Sequence, residues 1–385
     1  MTTTNWTVMI EGVDFTSDVL SLSLDLGRKT FFDDWNGGML AVTIRNQNSQ
    51  CKNISQFNLI QLQDFSYWYV IDISFNDTIA VNGSTCTVTA IDPIRSLSQY
   101  FWDMTTSYTD SSLQYIYDTF DSTVIGPPYM DPPGPSRALT NNDGQLTGAS
   151  TLLNFFSSIM LGECGAFYSN ANTISMKSGP TNVVSEWNFV RDGGTGIPYY
   201  ELDRMAGTEL AANVVTVNYQ ESESTYNNVT SGNFKRNYTR YTQLLRTIAP
   251  TQAEFYANLL SQKSLISGSL SWMDRAADSG ANTAWANSFS VIPGDFATLE
   301  YALPGDAPTT TLVRIEGFSC QANSQMTTWK VYFTDASLFG FILDSESNGI
   351  LGGNGFTYDR AGIVYNQSGT TYDDTYEIQG ARLGW

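Results

Sequence analysis

One β-segment occurs twice in this chain, over residues 69–92 and again over residues 313–335. In each copy a strand with an Ile-acid pair, Ile71-Asp72 or Ile315-Glu316, leads through a polar turn into a β-branched strand that ends in Asp. This pattern predicts a β-hairpin in both places. A further strand precedes each copy. The repeat therefore predicts two related β-domains, although short strands of Val, Ile and Thr also resemble one another without common origin.

Composition favours a β-rich protein of two to four domains. The chain has 385 residues, of which 13% are aromatic and only 15% are charged, and it contains 31 glycines. Its formal charge of −19 argues against a grip on nucleic acid, which requires Lys and Arg at the phosphates. The same charge would suit either an acidic wall that repels a passing duplex or simple solubility.

The sequence shows no pattern typical of a cysteine-based metal or redox site, a signal peptide or a membrane span. Cys51, Cys86, Cys164 and Cys320 are far apart in the sequence and predict neither a zinc site nor a redox dithiol, so we expect buried thiols in a reducing compartment. The first residues, Met-Thr-Thr-Thr-Asn-Trp, lack the basic and apolar regions of a signal peptide, and no apolar stretch is long enough to span a membrane.

The pattern along the chain predicts four regions. Strands alternate over 1–92, as in a first β-barrel or sandwich, and strand character returns over 206–336. Between them, 93–205 reads as a smaller α+β insertion with helices after Pro93, over Leu113 to Phe120 and over Thr147 to Leu161, and with an extended proline-rich loop at 125–136. The second β-region is expected to include a helix after Pro250. Residues 337–385 form a Gly-, Tyr- and Asp-rich tail.

Catalysis is not expected. The chain has no histidine, which removes imidazole triads, His-ligated metals and the commonest general base. Carboxylate pairs such as Asp33/Asp34, Glu221/Glu223 and Asp373/Asp374 could still hydrolyse a glycan. The segment from Asp344 begins like a calcium loop but has glycine at the twelfth position, where a bidentate Glu is required. We therefore predict no catalytic residue, no cofactor and no metal.

A local motif gives the sharpest hypothesis. The segment 27–46 begins Gly-Arg, continues through an Asp-Asp-Trp and a Gly-Gly pair, and ends in a strand and Asn. It resembles the opening motif of phage minor tail and baseplate-hub proteins. Pro-Gly-Asp at 293–295 resembles the turn of that group's second barrel, and residues 341–352 and 383–385 resemble its closing segments, here about thirty residues apart. The structural motif residues are Gly27, Arg28, Asp33, Asp34, Trp35, Gly37, Gly38, Pro293, Gly294 and Asp295.

The glycines of this motif permit tight turns, and its aromatic residues can cap the open end of a barrel. Arg28 is expected to pair with Asp33 or Asp34 and to fix a loop.

The resemblance implies two tube-like β-domains that flank the insertion, in a chain that forms a homotrimer with a pseudo-six-fold ring. Such a hub joins the six-fold tail tube, or a distal tail protein, to a three-fold spike or fibre and contacts the tape-measure protein, and DNA passes through it without specific binding. The implied location is the virion tail tip, after synthesis and assembly in the host cytoplasm. Two alternatives stay open: a peripheral receptor-binding or fibre-attachment protein, and a tail-associated glycan hydrolase.

Overall fold

The computed structural model of this chain shows a mainly β protein in which most strands join one large open sheet. The structure describes residues 7–31, 33–62, 66–77, 83–99, 101–102, 111–112, 129–131, 138–139, 150–162, 165–170, 173–177, 185–191, 196–205, 214–219, 222–227, 237–242, 267–275, 292–302, 307–323 and 326–336.

The strands are numbered in chain order, and their bounds are β1 Val8–Ile10, β2 Val13–Asp14, β3 Val19–Gly27, β4 Met39–Arg45, β5 Leu59–Leu62, β6 Ser66–Asn76, β7 Thr85–Ile91, β8 Phe101–Trp102, β9 Ser111–Ser112, β10 Tyr129–Asp131, β11 Ala138–Leu139, β12 Ser150–Thr151, β13 Ala166–Asn170, β14 Thr173–Lys177, β15 Ser185–Val190, β16 Ile197–Pro198, β17 Glu201–Met205, β18 Val214–Tyr219, β19 Ser222–Asn227, β20 Asn237–Thr242, β21 Ser267–Arg275, β22 Phe296–Tyr301, β23 Thr309–Asn323 and β24 Met326–Asp335. The α-helices are α1 Pro93–Ser96 and α2 Leu152–Gly162, and short 3₁₀ turns cover Thr16–Asp18, Gln47–Asn53 and Leu97–Gln99.

Five strands repeat in the same order. The first unit, β3 to β7, has the lateral order β3-β4-β7-β6-β5, and the second unit, β17 with β21 to β24, has the order β17-β21-β24-β23-β22. All neighbours within both units are antiparallel. Taken in chain order, the five strands of each unit therefore occupy matching places, which makes the two units copies of one topology.

The two hairpins of the repeat also share a β-bulge. The register shifts between Val70 and Asp72 in the first unit and between Ile315 and Gly317 in the second. The bulge residues are Ile71 and Glu316, so Ile71 corresponds to Glu316. The alignment of Ile71 with Ile315 expected from the sequence is therefore wrong by one position, because the shared Ile-acid pattern does not reveal which residue leaves the ladder.

A tight turn before each unit's third strand matches as well. The N–H of Phe57 donates to the carbonyl of Val70 at 2.7 Å, and the N–H of Gly294 donates to the carbonyl of Ile315 at 2.7 Å. Phe57 and Gly294 both have positive φ, +69° and +94°. In each turn the next residue, Asn58 or Asp295, accepts a backbone N–H from three residues earlier through its side chain. The backbone of the Pro-Gly-Asp turn is thus present in both units.

The two units join edge to edge. The C-terminal part of β23 pairs with β3, from Gly317 opposite Gly27 to Asn323 opposite Ser21. This pairing creates one continuous antiparallel run of eight strands, β17-β21-β24-β23-β3-β4-β7-β6. One face of the run packs a single hydrophobic cluster that includes Leu24, Val42, Val88 and Val331, each 6% exposed or less.

Several secondary-structure predictions are confirmed and others need correction. The strands near Val19, Met39 and Val214 and the hairpin of β13 and β14 are present. The helix after Pro93 is a single turn, because the chain enters a 3₁₀ turn and then β8. The predicted helix 147–161 begins at Leu152, after the short strand β12, and ends at Gly162.

Two further corrections concern the insertion. The proline-rich loop contains the strand β10, which pairs in parallel with β14 at the edge of a small sheet. Strands β15, β16 and β17, within the region assigned to the insertion, pair with one another or with strands of the second unit. The predicted helices over 113–120 and after Pro250, the tail 337–385 and the rest of the proline-rich loop lie outside the described residues.

Candidate functional site

The joint between the two units brings together the motif residues near both ends of the chain. Gly27 ends β3 with φ +80°, and a Cβ added there would lie 2.5 Å from the carbonyl oxygen of Glu316, 2.7 Å from the Cα of Gly317 and 3.2 Å from Pro293 Cγ. No side chain fits so close to a neighbouring backbone. The Gly-Arg motif and the Pro-Gly-Asp turn therefore meet at one place.

A buried ion cluster closes the joint. Arg28 Nε lies 2.8 Å from Glu316 Oε2, and Arg314 Nε lies 2.9 Å from Glu316 Oε1. A second nitrogen of Arg314 donates to Glu316 Oε2 at 3.0 Å. The Glu316 side chain is fully buried and those of both arginines nearly so. One carboxylate thus binds two guanidinium groups, one from each unit.

The electrostatics of the cluster keep Glu316 ionised. Burial by itself would raise the pKa of this carboxyl, but the charges of Arg28 and Arg314 and their hydrogen bonds outweigh burial and lower the pKa below its ordinary value of 4.5. Removing one partner would leave an uncompensated charge away from water.

Aromatic side chains cover the cluster. The ring of Phe31 lies 5.0 Å from the guanidinium carbon of Arg28 and 5.0 Å from that of Arg314, and the Trp35 ring lies 4.2 Å from Arg28. Both rings are buried. Such contacts between a cation and a ring face are favourable when water is excluded. The backbone N–H of Trp35 donates to Ser157 Oγ at 3.0 Å, which ties this cover to α2.

The Pro-Gly-Asp turn fixes the second unit at the joint. Asp295 is buried, and its Oδ2 accepts hydrogen bonds from the N–H of Ile292 at 3.2 Å and from the indole N–H of Trp187 at 3.0 Å. Its carbonyl accepts from the N–H of Ile315 at 2.8 Å. The turn therefore holds the strand that contains Glu316 and links it to β15.

The remaining motif residues shape the loop beside the joint. The side chain of Asp33 accepts from the N–H of Thr30 at 2.8 Å, while its carbonyl accepts from Arg28 at 3.3 Å. Gly37 has φ +67°, and a Cβ there would lie 2.4 Å from the backbone nitrogen of Arg95. At Gly38 it would lie 2.4 Å from Leu26. These glycines let the loop pack against α1 and β3.

A buried carboxyl at the start of α1 completes this region. Asp92 accepts from the N–H of Arg95 at 2.7 Å, as an N-cap, and from Ser169 Oγ at 3.2 Å. Burial raises the pKa of Asp92, and these hydrogen bonds only partly offset it. An open cleft of about 720 Å³ lies nearby, lined by residues that include Asp34, Lys29 and Arg95.

The outcome for the motif residues is thus mixed. The structure places Gly27, Arg28, Trp35 and the Pro-Gly-Asp turn together, and Asp33, Asp34, Gly37 and Gly38 on the adjoining loop. The sequence did not link Arg28 to Glu316, its ion-pair partner at the joint, or to Arg314, which binds the same carboxylate. The available signal was an acid next to a β-bulge inside an otherwise apolar strand, and the local sequence suggested only Asp33 or Asp34.

Comparison with solved structures identifies this architecture. A tail protein from Neisseria meningitidis MC58 superposes with a TM-score of 0.60 at 9% identity, over 86% of this chain and 97% of that one. The 43 kDa tail protein of prophage MuSo2 from Shewanella oneidensis gives a TM-score of 0.55 at 10% identity, over 85% and 97%. The chain has the fold of phage tail proteins.

A third structure of the same kind, prophage tail protein gp18 from Listeria monocytogenes EGD-e, has a TM-score of 0.50 and 12% identity over 85% of this chain and 94% of that one. No protein-family model and no curated protein sequence matches the chain. The tail-protein fold is therefore recognised from structure, at identities where sequence comparison fails.

In this tail-protein fold, the face of the eight-strand run opposite the hydrophobic cluster is polar. We call it the polar face. In both units it is built largely from Ser, Thr, Asn and Gln, as the cross-strand pairs show: Ser23 with Gln321, Thr43 with Thr87, Ser74 with Thr87, and Gln321 with Thr328. The charges on it include Asp25, Asp72, Glu201 and Asp203 alongside Arg45 and Lys330.

Chemically, the polar face offers hydroxyls and amides with scattered charges of both signs. Lys330 lies 3.7 Å from Asp203, so part of its charge is already compensated. Among the described residues, no group of three or more Cys, Asp or Glu side chains is placed to hold a metal ion. Within the same part of the chain, no helix is both long and apolar enough to cross a membrane.

Proposed function

We propose that this protein is a non-enzymatic structural component of a phage virion: the tail-tip, or baseplate, hub that joins a six-fold tail tube to a three-fold spike or fibre. The supporting observation is the repeated five-strand unit, whose two copies lie edge to edge in one sheet. Three chains with two units each supply six similar units to a ring, which matches six-fold symmetry on one side and three-fold symmetry on the other.

The proposed hub contains two tube-like β-domains, near 1–92 and 206–336, and the second also takes in β17 from the end of the region 93–205. The rest of that region forms the insertion, and the tail 337–385 follows. The joint of Arg28, Glu316 and Arg314 holds the two β-domains at a fixed angle. A fixed angle is necessary because a small error at each joint would prevent a ring from closing. The motif residues thus act as structural residues.

The polar face suits the wall of a DNA channel. Tight binding of a duplex depends on Lys and Arg at the phosphates, and this face has Ser and Thr with a mixed, partly paired set of charges. The formal charge of −19 also disfavours tight binding of a duplex. DNA could therefore pass the wall without being retained. The expected partners are the tail tube or distal tail protein, the spike or fibre, and the tape-measure protein.

The test is the mass and symmetry of the purified protein, by native mass spectrometry and by electron-microscope class averages. The expected result is a trimer whose ring shows six similar lobes around an opening. A monomer, or a compact trimer without an opening, would overturn the hub and favour a peripheral receptor-binding protein. Turnover of host cell-wall polysaccharide that is lost on single Asp or Glu substitutions would instead indicate a glycan hydrolase.

A further inference from the structure

Two strand edges form the joint within the chain, and each has an equivalent edge in the other unit. Among the described residues, no strand pairs with either of these equivalent edges. The joint consists of the C-terminal part of β23 and the edge of β3. By the repeat, the counterpart of β23 is β6 and the counterpart of β3 is β17. The described pairings place β7 and β5 beside β6, but β5 reaches only from Ser66 to Tyr69. On β17 they fill only the edge beside β21.

Exposure separates the open edges from the paired ones. Over residues 71–77 of the first unit every side chain is exposed or intermediate, whereas Phe318, Cys320 and Ala322 at the matching places in β23 are buried. On β17, Leu202 is intermediate and Arg204 is exposed, whereas their equivalents on β3, Leu22 and Leu24, are both buried. Equivalent positions are therefore covered where a unit lies alongside and uncovered where none does.

One side chain shows the effect most clearly. Phe75 pairs with Cys86, whose side chain lies in the hydrophobic cluster, so Phe75 points to the same face as the cluster. Phe75 is nevertheless 50% exposed, while its counterpart Cys320 is 1% exposed. Tyr200, directly before β17, is 55% exposed. An open strand edge with exposed aromatic side chains is a site for pairing with another chain.

We propose that the segment Asp72–Asn76 of β6 in one copy pairs antiparallel with β17 of a second copy, in the register that joins β23 to β3. The strand order fixes the register: Asn76 corresponds to Gln321 and Asp203 to Ser23, and Gln321 lies opposite Ser23. Asn76 of one copy therefore lies opposite Asp203 of the next. The run of eight strands continues across the interface without a break.

This interface is head to tail, because each copy uses a different edge toward each neighbour. Repeated head-to-tail contacts give a closed ring if the rotation closes and an open fibre if it does not. The proposal deepens the proposed hub function by naming the strands that join its copies. The sequence around the end of β17 also matches that around the end of β3: Gly207 lies two positions after Met205, as Gly27 lies two positions after Asp25.

The experiment is cross-linking with engineered cysteines in a Cys164→Ser background, since Cys51, Cys86 and Cys320 are buried. The test variant combines Asn76→Cys with Asp203→Cys. The matched positive control is Gln321→Cys with Ser23→Cys, the same pair of places within one chain. The negative control is Asn76→Cys with Arg204→Cys, because a shift of one residue turns a side chain to the other face.

The expected result after mild oxidation is a disulfide between chains in the test variant, at least tenfold more abundant than in the shifted control. A ring that forms with an in-chain disulfide in the positive control but no excess cross-link in the test variant would overturn the strand assignment and leave the hub function standing. A cross-linked ring of a number other than three would keep the strand pairing and overturn the three-fold hub. A chain that remains monomeric at high concentration would overturn both.

Discussion

The two bulges of the repeat occupy the same place in the backbone and have opposite surroundings. In the first unit the bulge residue is Ile71, an apolar side chain that is 37% exposed. In the second it is Glu316, a charged side chain that is fully buried. Apolar residues normally lie inside and carboxylates outside. The inversion means that the neighbourhood, not the strand itself, determines what each bulge does.

The neighbourhood differs because only the second bulge lies at the joint within the chain. There the first unit supplies Arg28, whose backbone N–H donates to the carbonyl of Glu316 at 3.0 Å and whose side chain pairs with the carboxylate. In a repeated fold, one of two equivalent strand edges can thus be joined permanently by a buried ion cluster. At the other copy, no described strand lies alongside the bulge, and Ile71 stays exposed.

The largest difference between the bulges is expected on truncation. Glu316→Ala should lower the free energy of unfolding by about 3 to 5 kcal/mol, because it leaves two buried guanidinium groups without their carboxylate. Ile71→Ala should cost about 1 kcal/mol or less, because the side chain is already partly in water. Equilibrium denaturation by urea, followed by tryptophan fluorescence, measures both.

A double substitution tests whether the loss in Glu316→Ala comes from unpaired buried charge. The variant Arg28→Met with Glu316→Met removes two of the three buried charges and should recover part of the loss seen for Glu316→Ala, since apolar side chains of similar volume often replace buried ion pairs without cost. If Glu316→Ala and Ile71→Ala cost the same, the cluster is not the fixed joint described here.

A second pair of variants tests the close approach at the joint. Gly27→Ala should cost about 3 kcal/mol, from left-handed backbone strain and from a methyl group placed against Glu316 and Gly317. Gly12 is the matched control: its φ of +76° is similar to the +80° of Gly27, but a Cβ there meets nothing within 4 Å. Gly12→Ala should therefore cost only about 1 kcal/mol. Thermal unfolding of the two variants under identical conditions separates the strain from the contact, and equal shifts would contradict the close approach.

The sequence predicted the repeat better than it predicted the joint. Alternating strands and the hairpins depend on local patterns, which a single sequence displays directly. The register was one position off because the residue that leaves a ladder is selected by the neighbouring strand. The partner of Arg28 was missed because Glu316 is 288 residues away, while Asp33 and Asp34 are near in sequence. The short motifs were enough to recognise the fold because the backbone conformation restricts which residues can occupy the positions of their glycines and of Asp295.

The pH dependence of stability should differ between Glu316 and Asp92, the buried carboxyl near the joint. The pKa of Glu316 is lowered from 4.5, so its contribution is present above pH 4.5 and is lost as the pH falls through the folded-state pKa. The pKa of Asp92 is raised from 3.8, so its contribution is full below pH 3.8 and is lost as the pH rises through the folded-state pKa.

Replacing each carboxyl by its isosteric amide tests the two opposite pH dependences of stability. The stability gap between the wild type and Glu316→Gln should narrow as the pH falls below 4.5 toward 3. Relative to the wild type, Asp92→Asn should gain stability as the pH rises from 3 to 7, because the amide keeps the N-cap without a buried charge. Urea titrations at each pH give both curves. Parallel curves for both variants and the wild type would show that neither carboxyl titrates differently in the folded protein.

The smallest effect is expected at the matching turns, where the two units use different residues for one backbone shape. Phe57 has φ +69° and is 79% exposed, whereas Gly294 takes this place in the second unit with φ +94°. Left-handed strain of about 1 to 2 kcal/mol at Phe57 outweighs the entropic cost of a glycine, about 0.5 to 1 kcal/mol. Phe57→Gly should therefore raise the free energy of unfolding by about 0.5 to 1 kcal/mol. Gly294→Ala should lower it by about 1 kcal/mol or more. Because the hydrogen bonds of the two turns are the same, effects of equal sign in both variants would mean that the turns are not equivalent in solution.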